Sequence, residues 1–126
     1  MERGYQSMKV ALFEPNLFWA AKARSAIVGS GWECVVASEG RWRDVRALVV
    51  GLYAPEEALR GVVAEARRHG VPVVGHAGHK ERALLNLGLE LGCDRVLTNG
   101  ELAHRLKAHL QAVLEGPFRE SNGSDG

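Results

Sequence analysis

The stretch Gly75-His76-Ala77-Gly78-His79-Lys80, with two glycines, two histidines and a lysine, is the most unusual local sequence in the chain. It lies just ahead of a predicted helix, whose unsatisfied N–H groups favour negative charge. A phosphate or carboxylate would dock there. His76 and His79 would also supply two metal ligands, but no Cys or Asp stands nearby to complete a set, so no metal site is predicted. The simpler alternative is a solvated loop with glycines for backbone freedom, and it is preferred. His76 with Glu14 would make a base and its orienter. Against catalysis, the chain has no pair of acids, no G-x-S-x-G elbow and no Gly-rich phosphate loop after its first strand. The expectation is a chain that is not an enzyme and has no cofactor.

The elements that must position these residues follow from hydrophobic runs and their punctuation. Lys9 to Phe13, Glu33 to Ala37, Ala47 to Leu52, Val71 to Gly75 and Arg95 to Leu97 read as strands, apolar enough to be covered on both faces. Asn16 is a plausible N-cap for a helix from Leu17 to about Val28, which stops at Gly29-Ser30-Gly31. Pro55-Glu56-Glu57 opens a helix that ends at Arg67-Arg68-His69-Gly70, with acids in its first turn and cations in its last. Further helices are predicted over Glu81 to Leu91 and Glu101 to Leu114. Ser38 to Arg46 has room for one or two helical turns at most. The order is βαβ(α)βαβαβα, which implies an α/β fold with a doubly wound parallel sheet.

In such a fold a ligand sits at the carboxyl ends of the strands, near the switch point of the sheet. Glu14, Asn16, Gly51, Tyr53, His76, His79 and Asn99 would line that crevice, with Lys80 beside it. Each also has a plainer role: Asn16 as a helix cap, Tyr53 as a rim aromatic, Gly51 as a tight turn.

Two stretches resemble the flavodoxin-like receiver domain of response regulators (CheY-like). Val49-Val50-Gly51-Leu52-Tyr53-Ala54-Pro55 is similar to the family's third strand, its acceptor position and the proline that follows. Leu89-Glu90-Leu91-Gly92-Cys93-Asp94-Arg95-Val96-Leu97-Thr98-Asn99 is similar to its Gly-Ala-Asp turn and fifth strand. The match spans roughly Met8 to Leu114 and implies a five-stranded sheet of order 2-1-3-4-5. It also implies a phosphorylation site, and here the residues depart. The acceptor position falls on Gly51, the acidic pair on Glu14 and Pro15, the hydroxyl near His76 or Ala77, and the lysine on Asn99. The only aspartates are Asp44, Asp94 and Asp125, and none is expected at a strand's carboxyl end. A lone glutamate on the first strand is expected to accept nothing at the sheet centre. The chain therefore reads as a pseudo-receiver, a non-phosphorylated adaptor or signalling module. The alternative is a small-ligand or anion binder using His76, His79, Lys80 and Glu14.

Candidate contact surfaces come next. The helix from Glu81 to Leu91 has more leucines than one buried stripe requires, and Leu84, Leu87 and Leu91 are assigned to an interface. In receivers this helix and its neighbours form the output and dimer surface, so a homodimer is expected. Trp42, among the arginines of the shortened connection, is a second interface candidate. It would otherwise pack back over the sheet where a helix is missing.

The rest sets bounds. A chain of 126 residues, 46% hydrophobic and 25% charged, suits one globular domain. A net charge of +1 gives no reason to expect nucleic-acid capture. No apolar run approaches the roughly 20 residues of a membrane span, so a cytoplasmic protein is expected. Residues 1–7 are read as a flexible arm, 8–115 as the domain and 116–126 as a disordered tail. Cys34 and Cys93 are expected on opposite sheet edges, beyond disulfide reach.

Overall fold

The computed structural model describes residues 8–37 and 42–125. Its elements are β1 (Lys9–Phe13), α1 (Leu17–Gly29), β2 (Glu33–Val36), β3 (Val45–Gly51), α2 (Glu56–Arg68), β4 (Val73–Ala77), α3 (Arg82–Glu90), β5 (Arg95–Thr98) and α4 (Asn99–Asp125). The sheet has five strands in the order β2-β1-β3-β4-β5. All four strand pairs are parallel. This is the expected doubly wound α/β fold.

The central strands are apolar because both their faces are covered. In β3 every residue but Arg46 is buried, and β4 is buried along its whole length. One face carries Val10, Leu12, Ala47, Val49 and Val74 under Ile27 of α1 and Leu102, Leu106 and Leu110 of α4. The other carries Ala11, Leu48, Val50 and Val73 under Leu59, Val63 and Ala66 of α2, with Leu84, Leu85 and Leu87 of α3 packed beside them.

Local chemistry sets the connections. Asn16 caps α1, its Oδ1 accepting from the Trp19 N–H at 3.0 Å. After α3 the chain turns at Gly92, whose φ of 87° suits glycine. Asp94 then accepts from the Val73 N–H at 2.8 Å and lies 3.5 Å from Arg67 of α2. The resemblance to a Gly-x-Asp turn thus has a structural role: that carboxylate ties the start of β4 to the start of β5. Gly88 is the buried residue of α3. A Cβ there would lie 2.9 Å from Val96 Cγ2 and 3.0 Å from Leu52 Cδ1, so its absence lets the helix settle on the sheet.

Three details differ from expectation. The strand expected from Ala47 starts at Val45, because Val45 still pairs with Lys9 across an irregularity in the ladder. Trp42, taken as an interface residue, is 3% exposed and belongs to the core. Its ring stacks on His69 at 6.2 Å and 24°. Burying the indole in the cluster beneath α2 removes more apolar surface from water than presenting it outward would. Between β2 and β3 the described residues 42–44 make only a turn, while Gly40 and Arg41 lie outside the described residues. Lastly, α4 kinks at Arg105 (φ −130°, ψ 17°) and runs as helix to Asp125, past its expected end near Leu114. Adding residues to a formed helix costs less than nucleating one.

Candidate functional site

Parallel strands bring the residues that follow β1, end β3 and lie in β4 to one edge of the sheet, and Gly51 sits directly across from His76 in the β3–β4 register. Glu14, just past β1, turns its side chain inward over Gly51. A Cβ on Gly51 would collide with both carboxylate oxygens and with Cδ of Glu14. The glycine is therefore the condition for the carboxylate's position, and the tight-turn explanation is unnecessary.

Glu14 and His76 form a closed pair. Oε1 of Glu14 lies 2.6 Å from Nε2 of His76, and both side chains are fully buried, 0% exposed. Oε2 accepts from the Asn16 N–H at 3.1 Å. On the far side of the imidazole, Nδ1 lies 2.7 Å from Oδ1 of Asn99. The Asn99 amide in turn donates from Nδ2 to the Tyr53 hydroxyl at 2.7 Å. A polar chain thus runs Glu14, His76, Asn99, Tyr53 from the end of β1 to the start of α4. Trp19 (6.2 Å between ring centroids) and Tyr53 (5.9 Å, edge-on) wall the imidazole.

Hydrogen-bond bookkeeping decides the proton. An amide oxygen only accepts, so Nδ1 of His76 carries a hydrogen toward Asn99. Nε2 and a carboxylate oxygen at 2.6 Å must then share one further proton, giving either an imidazolium–carboxylate pair or its neutral equivalent. In both forms the pair has no net charge. Burying it is tolerable for that reason, and separating the partners would leave an isolated charge in a dry site. Tyr53, half-buried, has its hydroxyl pKa raised by burial, against the lowering effect of the Asn99 hydrogen bond; Glu14 and Glu81 push it up further.

Of the residues expected in the crevice, the fold brings together Glu14, Gly51, Tyr53, His76 and Asn99, with Asn16 at the margin as helix cap and backbone donor. Glu14 reaches the sheet centre, because Gly51 leaves the space. His79 and Lys80 are exposed and stand apart from the chain. The four-residue anion set is therefore divided. His76 is buried against Glu14, which cancels the positive charge the set required. Leu84, Leu87 and Leu91 pack partly buried against the core, while Leu89 is 64% exposed. Trp19 was missed, although its place on the first turn after Asn16 was a usable signal. Also missed was the link between Tyr53 and Asn99, 46 residues apart in sequence, for which no local signal exists. Cys34 and Cys93 are both free thiols.

The fold is shared with solved receiver domains. NtrX from Brucella abortus superposes with a TM-score of 0.73 at 15% identity, over 95% of this chain and 29% of that one. A response regulator receiver domain protein from Clostridium thermocellum gives 0.69 at 13% identity, covering 86% of this chain and 95% of the other. A response regulator from Thermotoga maritima gives 0.67 at 11% identity, over 87% and 99%. No protein-family model matches the sequence, and no curated protein matches it either. Among the described residues no helix is long and apolar enough to cross a membrane.

Proposed function

We propose that the chain is a signalling module of receiver-like shape that acts through protein contacts and does not accept a phosphoryl group. One observation carries this reading: the carboxylate over the sheet centre has both its oxygens engaged, by His76 and by the Asn16 N–H, in a fully buried pair. An acceptor carboxylate must be open to an incoming phosphoryl group and close to a divalent cation held by hard oxygen ligands. Glu14 instead faces an imidazole, and Asn99 offers an amide where a cation would steady the transferred group. Nothing enzymatic is proposed for this centre.

The direct test is incubation with acetyl phosphate and Mg²⁺, followed by intact-mass measurement. The unmodified mass is expected throughout; a phosphoryl adduct on Glu14 overturns the reading.

For the contact itself, the face formed by α3, β5 and α4 is favoured. It holds a groove of about 550 Å³ lined by Leu85, Leu89, Val96 and Leu97, with Asp94, Arg95, Glu101 and His109 around it. Charges of both signs among the apolar side chains of this groove suit an isologous pair, in which acids of one copy meet bases of the other. A homodimer in the cytoplasm is the form proposed, with the exposed Leu89 at its centre and Leu84, Leu87 and Leu91 packed partly buried against the core of the same subunit. Light scattering across a dilution series tests it: the wild type should lose mass on dilution, and Leu89→Glu should be monomeric throughout. A wild type that is monomeric at every concentration removes the homodimer from the proposal.

A further inference from the structure

Among the described residues, the side of α1 turned toward β2 is left open. Residues 17, 20, 21, 24 and 28 share one helical face. Leu17 is 85% exposed and Val28 53%, while Val36, at the end of β2, is 75% exposed. Between α1 and the β1–β2 edge lies a cleft of about 410 Å³, walled by Leu12, Phe13, Ala20, Ala21, Val36 and Ala37. Arg24 and Cys34 also line it. Among the described residues Arg24 has no ion-pair or hydrogen-bond partner. Its charge acts on the Cys34 thiol, opposing the rise in pKa that burial imposes. Glu14, at the cleft's inner end, does not compensate Arg24, because its carboxylate is already bonded to His76 and Asn16.

An apolar cleft holding one uncompensated guanidinium is chemically asymmetric. Hydrocarbon fills the walls favourably, and a guanidinium beside low-dielectric surface binds a carboxylate more strongly than one in open water. The volume lies within the range of about 300–1,000 Å³ typical of small-molecule sites. We propose that this cleft binds an amphiphilic carboxylate, an aliphatic or aryl acid. Its hydrocarbon body lies between α1 and β2, and Arg24 holds its carboxylate. A ligand of roughly a dozen heavy atoms fits such a space. The site is separate from the Glu14–His76 pair and stands whether or not the chain works by protein contact.

The probe is decanoate, followed by ¹⁵N–¹H spectra of the full chain, with decanol and decyltrimethylammonium as neutral and cationic controls. Saturable shifts are expected at Ala20, Ala21, Arg24, Cys34 and Val36, with a Kd on the order of 0.1–1 mM, as ligand efficiency at this size allows. Arg24→Gln should weaken decanoate about tenfold and leave decanol unchanged. Ala21→Trp should fill the cleft and abolish binding; Ala21 is exposed, so the thermal melt should hardly move. Decanoate should also slow maleimide labelling of Cys34. Cys93, whose thiol burial pushes up to about 11, serves as the unprotected internal reference. Equal affinity for decanoate and the cationic control overturns the proposal, as does an Arg24→Gln variant that binds normally. Shifts confined to another surface, or no shifts at several millimolar probe, overturn it equally.

Discussion

The end of β1 and the middle of α1 each place an ionisable side chain beside apolar walls, yet the two regions are completed in opposite ways. Glu14 has a partner on each oxygen and no exposed side-chain surface; Arg24 has no partner among the described residues and lines an open cleft. A buried charge without a partner would cost several kcal/mol, so the first site survives only by being self-contained. A charge at the surface is hydrated, so the second can remain unpaired at little cost to folding. The comparison teaches where function can be sought. Polar groups that converge at strand ends look like a site in the sequence, yet here they satisfy one another. Arg24, with no partner among the described residues, is the group on which the proposed carboxylate site rests.

The difference should appear first in stability. His76→Leu leaves the Glu14 carboxylate buried opposite an apolar side chain and should cost about 3–5 kcal/mol in urea unfolding. Combining it with Glu14→Leu should recover a large part of that loss, since a double apolar replacement leaves no stranded charge. If the two losses simply add, the pair is not coupled as described. Gly51→Asp drives a side chain into the Glu14 carboxylate and should cost about 3 kcal/mol or more. Glu14→Ala in the same chain should relieve most of it. Gly88→Ala, away from both regions, should cost about 1–3 kcal/mol by lifting α3 off Val96 and Leu52.

Smaller effects sharpen the contrast at its edges. Tyr53→Phe removes the hydroxyl from Asn99 and should cost about 1 kcal/mol. The raised pKa of Tyr53 means that the folded state holds this proton more tightly than the unfolded chain. Its contribution is complete below the ordinary tyrosine value of 10.0 and lost as pH rises through the higher folded value. The difference in unfolding free energy between wild type and Tyr53→Phe should therefore shrink only in strongly alkaline solution. Smallest of all, Leu17→Ser should change stability by less than about 0.5 kcal/mol, since Leu17 is almost wholly exposed.

Much of the fold was legible because it is written in short-range signals. The apolar run Leu48 to Val50 marks a strand covered on both faces, Asn16 marks a helix start, and Gly70 and Gly92 mark helix ends. Boundaries slipped where pairing across the sheet decided them, as at Val45, or where a formed helix ran on, as beyond Leu114. Membership of the crevice was legible too, since Glu14, Gly51, Tyr53, His76 and Asn99 all follow or end predicted strands. What each does there was not. His76 looked like part of an exposed loop with His79 and Lys80, whereas β4 extends through Ala77 and takes His76 into the interior. Trp42 posed the same problem: an arginine-flanked tryptophan reads equally as an interface anchor or as a lid, and only its burial in the core cluster resolved it.

The sequence by itself determined the order of elements, the parallel sheet and the absence of an oxygen ligand at Gly51, because these depend on residue type and on spacings along one segment. Tertiary structure decided the rest: that the space left by Gly51 holds the carboxylate of Glu14, that His76 binds it, and that Arg24 has no partner among the described residues. Those outcomes depend on which side chains from distant segments arrive at the same few ångströms. Hydrogen-bond geometry and desolvation act at that scale, and no periodicity in the chain records them.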